Sequence, residues 1–364
     1  MNIGLRRRDF FGLTLLPLVA CSKGDSQEAD LDARWKGPIA NLEQALSTMM
    51  RETPLPGLSV AVIEDGKLIW RKAFGVKDTV SKAPVDTDTI FEAASMSKPV
   101  FAYAVMKLCE RGVLNLDTPL TKYTPERFLE GDPRLDLITA RHVLSHTSGF
   151  QNWREEGDQP LTIHFTPGEK FMYSGEGYSY LLSVVAHVTG QPFEQYMQEN
   201  ILTPFGMDSS GYVWNSTMEQ RAARPHDNKN VPFENKKSTP TDVARYGSAG
   251  SLQTTPGDYA KFMLEVLAPK PADKYRLSPE SLKEMLRPQV QLNDKFGTSW
   301  ALGWRIAPNA AGDVISHGGD NDGFHCWALM SLQRKSGVVM MTNGDNGAPL
   351  LVQIISGETL KAVL

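Results

Sequence analysis

Two short β-rich runs lie early in the chain, at 58–63 (Leu-Ser-Val-Ala-Val-Ile) and 67–74, on either side of Glu64-Asp65-Gly66. Runs of this length split by Asp-Gly predict a β-hairpin. Near the other end, 324–332 and 337–342 flank Gln333-Arg334-Lys335-Ser336 in the same way, and 348–362 predicts a closing helix. Hairpin connections make paired strands antiparallel. Between the two hairpins, helical patterns recur near 97–111, 177–189, 192–201 and 256–267, separated by loops rich in Pro, Gly and Asp. The pattern predicts an α+β fold: an antiparallel sheet built from both chain ends, flanked by helices, with a mostly helical region inserted. The segment 97–111 is apolar nearly all round (Val100, Phe101, Ala102, Ala104, Val105, Met106, Leu108), which predicts a helix at the centre of the protein.

The N-terminus breaks this pattern. Arg6-Arg7-Arg8 is followed by an apolar run at 10–20, which is short of the roughly 20 residues that a membrane-spanning helix needs. It reads as a signal peptide over 1–20. Arg7-Arg8-Asp9-Phe10-Phe11 resembles a bacterial twin-arginine export signal, and Leu18-Val19-Ala20-Cys21 resembles a lipobox. By that resemblance Cys21 is lipidated and anchors an exported lipoprotein facing the periplasm; Ser22 points to the outer membrane. Residues 21–35, mostly polar, read as a flexible tether, and 36–364 as one folded domain.

Charge removes one class of function. The 364 residues carry 38 Lys and Arg against 42 Asp and Glu, a net charge of -4, and no dense basic patch follows residue 8. A nucleic-acid partner is therefore not expected. Cys109 and Cys326, the two cysteines besides Cys21, read as buried thiols, with a single bridge as the alternative in an oxidising compartment. The seven histidines show no metal-ligand spacing, so neither metal nor cofactor is expected.

What precedes the central helix carries the chemistry. Ser95-Met96-Ser97-Lys98-Pro99 sets a serine and a lysine three residues apart at a helix start, on one face. A serine hydroxyl needs a neighbouring proton acceptor to become a nucleophile. A helix N-terminus offers free N–H groups to an oxyanion, and burial lowers the pKa of a lysine. Alone, the pattern equally describes a capped helix with a solvated lysine. Two further elements follow: Tyr173-Ser174-Gly175, after Thr166-Pro167-Gly168-Glu169, and His317-Gly318-Gly319 just ahead of the run at 324–332.

In this order and spacing the three elements resemble the penicillin-recognising serine hydrolases: class C β-lactamases, D-alanyl-D-alanine carboxypeptidases and related esterases. Leu144-Ser145-His146-Thr147-Ser148-Gly149 and Ala249-Gly250-Ser251-Leu252 add to the resemblance, which runs from about 40 to 345. It implies a β-lactamase-like fold and an acyl-enzyme on Ser95, with Lys98 and Tyr173 activating the serine. It leaves open whether lysine or tyrosine is the formal base. For Tyr173 to act at neutral pH its phenol needs a cationic neighbour, and Lys98 is the candidate. The oxyanion would be held by the N–H groups of Ser95 and Asp320, with His317, Gly319 and Gly175 beside the substrate. That substrate is a small ester, amide or peptide.

Two departures bear on specificity. Gly175 stands where the family has asparagine, so no side chain there holds an acyl amide. His317 replaces lysine, and a mostly neutral imidazole holds a carboxylate less well. Both favour small esters over β-lactams; carboxypeptidase, β-lactamase and a non-turnover penicillin-binding sensor are the alternatives. His146 reads as part of a structural turn and His325 as a sheet or cleft-rim residue. Trp153, Trp214, Trp300 and Trp304 read as core by default, with an acyl-pocket lining as the alternative, Ser97 as a helix-start residue, and Asp320-Asn321-Asp322 as a polar turn beside the cleft.

Overall fold

The protein is described here by a computed structural model covering residues 31–154, 160–292, 295–309, 312–357 and 360. Strand β1 (Gly57–Glu64) turns into β2 (Lys67–Gly75) through Asp65 and Gly66, whose φ angles of 49° and 69° make the two-residue hairpin turn that Asp-Gly favours. At the other end β8 (Val314–Asn321), β9 (Phe324–Ser331) and β10 (Ser336–Thr342) form a meander. β10 pairs with β1 in the register Leu58↔Thr342 to Ile63↔Gly337, so the two chain ends close one sheet. Short strands β5 (Val290–Gln291), β6 (Ser299–Trp300) and β7 (Arg305–Ala307) extend it to eight antiparallel strands in the order β2-β1-β10-β9-β8-β7-β6-β5. A separate pair, β3 (Phe91–Glu92) with β4 (Gln253–Thr254), lies in the inserted region.

The period-two alternation of the strands sorts side chains into two cores. Ala61, Ile63, Val339 and Met341 face the larger one, which holds the inserted helices. Leu58, Val60, Val62, Val338 and Met340 face a smaller one. There they meet helix α1 (Ala33–Glu52) and helix α6 (Gly347–Ser356). Helix α2 (Ser97–Glu110) is buried continuously from Ser97 to Leu108, as its all-round apolar sequence requires. The remaining long helices are α3 (Gly175–Thr189), α4 (Pro240–Gly250) and α5 (Pro256–Leu267).

Three boundaries and one whole helix differ from the sequence pattern. Helix α1 starts at Ala33, with the Asp32 side chain capping it, so 33–35 are helical rather than tether. The segment expected over 192–201 runs on to Phe205 through a π-helical stretch at Gln198–Leu202. Helix α6 ends at Ser356, before the expected 362. Helix α4 was not expected, because glycines interrupt its apolar stripe, but Thr239-Pro240-Thr241-Asp242 is a capping box with Pro at the first helical position. The signal peptide and Cys21 lie outside the described residues, among which no helix is long and apolar enough to cross a membrane.

Candidate active site

The chain arrives at Ser95 through a constrained turn. After β3, Ala93 donates its N–H to Leu252 and accepts the Cys326 thiol at 3.0 Å. Ala94 then takes a left-handed φ of 47°, a conformation costing a residue with a Cβ about 1–2 kcal/mol. The 3-10 turn Ala94–Met96 that follows leaves Ser95 half-buried at the mouth of α2. Ser97 locks the turn, donating to Ala94 O at 2.7 Å and accepting the Leu252 N–H at 3.0 Å, so its reading as a helix-start residue fits.

One helical step on, Lys98 Nζ lies 3.1 Å from Ser95 Oγ and donates to Ala249 O at 2.7 Å. Ala249 sits in the last turn of α4, where backbone carbonyls lack helical partners. The rings of Tyr173 and Tyr178 stand 4.8 and 5.5 Å from Nζ. Burial pushes the Lys98 ammonium down to about 7, so the amine is poised between its charged and neutral forms.

Tyr173 precedes α3 and faces Ser95. That contact favours phenolate, but burial outweighs it and pushes the phenol well above its ordinary value. The expectation that Lys98 lowers the tyrosine's pKa is therefore not met. Beneath the phenol ring lies His146, whose imidazole stacks on it with centroids 4.2 Å apart. His146 Nδ1 accepts the Ser174 N–H at 3.0 Å, which puts the ring proton on Nε2. Burial holds this imidazole neutral. The Ser145–Gly149 turn thus supports Tyr173, and its histidine is no partner of Ser95.

Strand β8 supplies the opposite wall. Its neighbour β7 last pairs at Arg305↔Ser316, which leaves 317–321 open on that side among the described residues. The turn that carries Ser95 packs there, so closely that a Cβ at Gly319 would stand 2.3 Å from Ala93 O and 2.6 Å from Cys326 Sγ. Glycine at 319 is thus required by backbone approach. His317, buried, donates from Nδ1 to Gly318 O at 2.6 Å. Burial, then Lys98, pushes its pKa down to about 3, so His317 is neutral across the physiological range. Asp320 points outward and pairs with its cross-strand neighbour His325 at 2.6 Å.

A cleft of about 490 Å³ opens over Ser95, lined by Tyr173, Phe171, Trp300, His317, Asp320 and Trp327 among others. Residues 42–354 match the protein family described as Beta-lactamase. The chain belongs to the beta-lactamase family. Among curated relatives it is 32% identical over 224 residues to Esterase EstB of Burkholderia gladioli, covering 53% of this chain and 56% of that one. It is 25% identical over 328 residues to Protein flp of Staphylococcus aureus (strain MRSA252), covering 84% of this chain and 63% of that one. The chain thus spans less than two thirds of the length of these relatives. The octameric penicillin-binding protein homologue from Pyrococcus abyssi superposes with a TM-score of 0.74 at 23% identity over 89% of this chain and 79% of that one. A class C beta-lactamase superposes at 0.73 and 20% identity over 91% and 98%. At these identities the superpositions show a shared fold.

Within this beta-lactamase-family site, Ser95, Tyr173, His317 and Asp320 line the cleft and Lys98 lies beneath it. Two expected residues do not line it. Gly319 is packed under the turn that carries Ser95, and Gly175 is covered by the Trp153 ring: a Cβ there would lie 2.3 Å from it. The Gly175 N–H is taken by Asn152, which caps the start of α3. Trp153 and Trp300 are cleft walls rather than core. Trp304 is core, stacked on Phe262, and Trp214 donates to Glu219 away from the cleft. Cys109 and Cys326 are free thiols. Sequence reasoning passed over Trp327, which lines the cleft although its register opposite Gly318 and Met340 sets it on the sheet face of the smaller core.

Proposed function

We propose that this chain is a serine acyl hydrolase that cleaves small esters through a covalent acyl-enzyme on Ser95. The observation that carries this reading is the 3.1 Å contact between Ser95 Oγ and a lysine amine pushed down to about 7. In its neutral form Lys98 accepts the Ser95 proton as the oxygen attacks the acyl carbon. Backbone N–H groups of Ser95 and Asp320 take the developing oxyanion. Tyr173, kept protonated by burial, gives its proton to the departing alkoxide and is reprotonated from Lys98. The alcohol leaves and the acyl group stays on Ser95. Water then attacks that ester, passing a proton through Tyr173 to Lys98; the Ser95 Oγ–acyl bond breaks, Lys98 returns the proton to Oγ, and the acid departs with Ser95 and the neutral amine restored.

Two features support esters over β-lactams and peptide termini. Trp153 fills the place from which an asparagine would hold an acyl amide. His317 is a neutral acceptor and offers no cation to a carboxylate beside the scissile bond. The test is intact-mass analysis after a fluorophosphonate and, separately, after penicillin, with peptide mapping. A fluorophosphonate adduct on Ser95 with no lasting penicilloyl adduct is expected. A stable penicilloyl adduct would favour the carboxypeptidase or sensor reading instead, and no adduct from either reagent on folded protein overturns the nucleophile.

The sequence of residues 6–22 further supports an exported enzyme held to the membrane by lipid on Cys21. Incorporation of labelled palmitate, lost in Cys21→Ala, tests this; labelling of the variant would exclude it.

A further inference from the structure

Beside the catalytic cleft lies a second compartment of about 530 Å³, sharing Trp153, Gly250 and Asn321 with it. The junction is open because position 250 lacks a side chain: a Cβ there would meet nothing within 4 Å. None of the residues grouped around Tyr173 (Phe171, Trp300, His317) reaches the shared wall. A leaving group protonated by Tyr173 departs among those rings, which leaves the second compartment to the acyl arm.

The compartment's charges are unevenly engaged. Glu176 is closed into a bidentate pair with Arg154, at 2.9 Å on both oxygens. Asp242 accepts from Thr239 N and Oγ1 at 2.9 and 2.7 Å in the cap of α4. Glu92, buried, accepts from Asn321 Nδ2 at 2.7 Å, and burial raises its pKa toward the neutral acid. Two cations, Arg245 and Lys236, stand 4.8 and 5.8 Å from the ring centroid of Tyr246; Lys236 acts electrostatically on Glu92 and Asp242, but neither cation closes an ion pair with a carboxylate among the described residues. Trp153 meets the same Tyr246 ring edge-on at 5.5 Å, joining the aromatic wall of the catalytic cleft to the two cations.

We propose that this compartment receives an acyl arm ending in a carboxylate, held by Arg245 and Lys236 over Tyr246, so that the preferred substrates are esters of ω-carboxy acids. This rests on the serine-hydrolase reading above. It is compatible with a neutral His317, because the carboxylate is remote from the scissile bond.

The experiment compares p-nitrophenyl monoesters of succinic, glutaric, adipic and pimelic acids with the neutral p-nitrophenyl acyl esters of matched length, using the full protein at low salt. A kcat/KM ratio favouring the anionic series by five- to tenfold at one chain length is expected, the range two partly exposed ion pairs supply. The ratio should fall toward one in Lys236→Ala/Arg245→Ala and on raising salt with the wild type, a readout that does not depend on the variant folding. Filling the junction with Gly250→Leu should remove the chain-length optimum. A wild-type ratio at or below one at every length, or a ratio insensitive to both salt and the double variant, overturns the proposal while leaving the hydrolase intact. No ester turnover, with no fluorophosphonate adduct on Ser95, overturns both.

Discussion

The indole of Trp153 occupies the volume that any side chain at position 175 would need, with ring atoms 2.3 to 2.6 Å from where a Cβ would stand. The absent asparagine and the tryptophan are thus one structural fact. Glycine makes room for a ring that walls both the catalytic cleft and its neighbour.

Gly175→Asn alone should therefore destabilise the fold by about 1–3 kcal/mol through overpacking and lower ester turnover. Gly175→Asn combined with Trp153→Ala should recover stability and raise nitrocefin hydrolysis relative to p-nitrophenyl butyrate. Melting curves and the two kcat/KM values check this; a single variant as stable as wild type would show that the ring moves aside freely.

The pH dependence follows from Lys98. Its neutral amine is the proposed base, so kcat/KM for a neutral ester should rise with pH through about 7 and level off above it. His317, pushed down to about 3, should add no second limb between pH 5 and 8. A flat profile across that range would remove Lys98 from the base role.

The same shift has a stability counterpart. The folded protein releases the Lys98 proton near 7, while an unfolded chain holds it to about 10.5. Stability should thus rise with pH across that window, the penalty being full below it and gone above it. Lys98→Met should be more stable than wild type at pH 6, and the gap should close by pH 10. Thermal melts of both proteins across this range measure it.

Gly319→Ala should act through the backbone. A methyl 2.3 Å from Ala93 O and 2.6 Å from Cys326 Sγ must push β8 away from the nucleophile turn. Separating the two oxyanion donors should cost about 10²–10³ in kcat. Fluorophosphonate labelling should slow in parallel. Unchanged labelling would mean that the strand and turn move together.

Much of this was legible before any coordinates. The hairpins at both ends follow from paired β-rich runs, the first around an Asp-Gly turn and the second around Gln333-Arg334-Lys335-Ser336, and the Ser95–Lys98 contact follows from three-residue spacing on a helix. Helix α4 was missed because its stripe is interrupted by glycines, and its capping box was the available signal. His146 and Trp153 were read as structure because each pattern is ordinary by itself. Only packing brings one beneath Tyr173 and the other over Gly175.

By itself the sequence determined the two terminal hairpins, most of the long helices, and the three motifs that resemble a serine hydrolase. These depend on residues within a turn or two of one another. Tertiary structure decided the chemistry: a Lys98 lowered to about 7, a His317 held neutral, and a Tyr173 that burial keeps protonated. The residues around Lys98 show why. Tyr173, Tyr178 and Ala249 come from segments far apart in the chain, and the desolvation they produce arises only when those segments pack together.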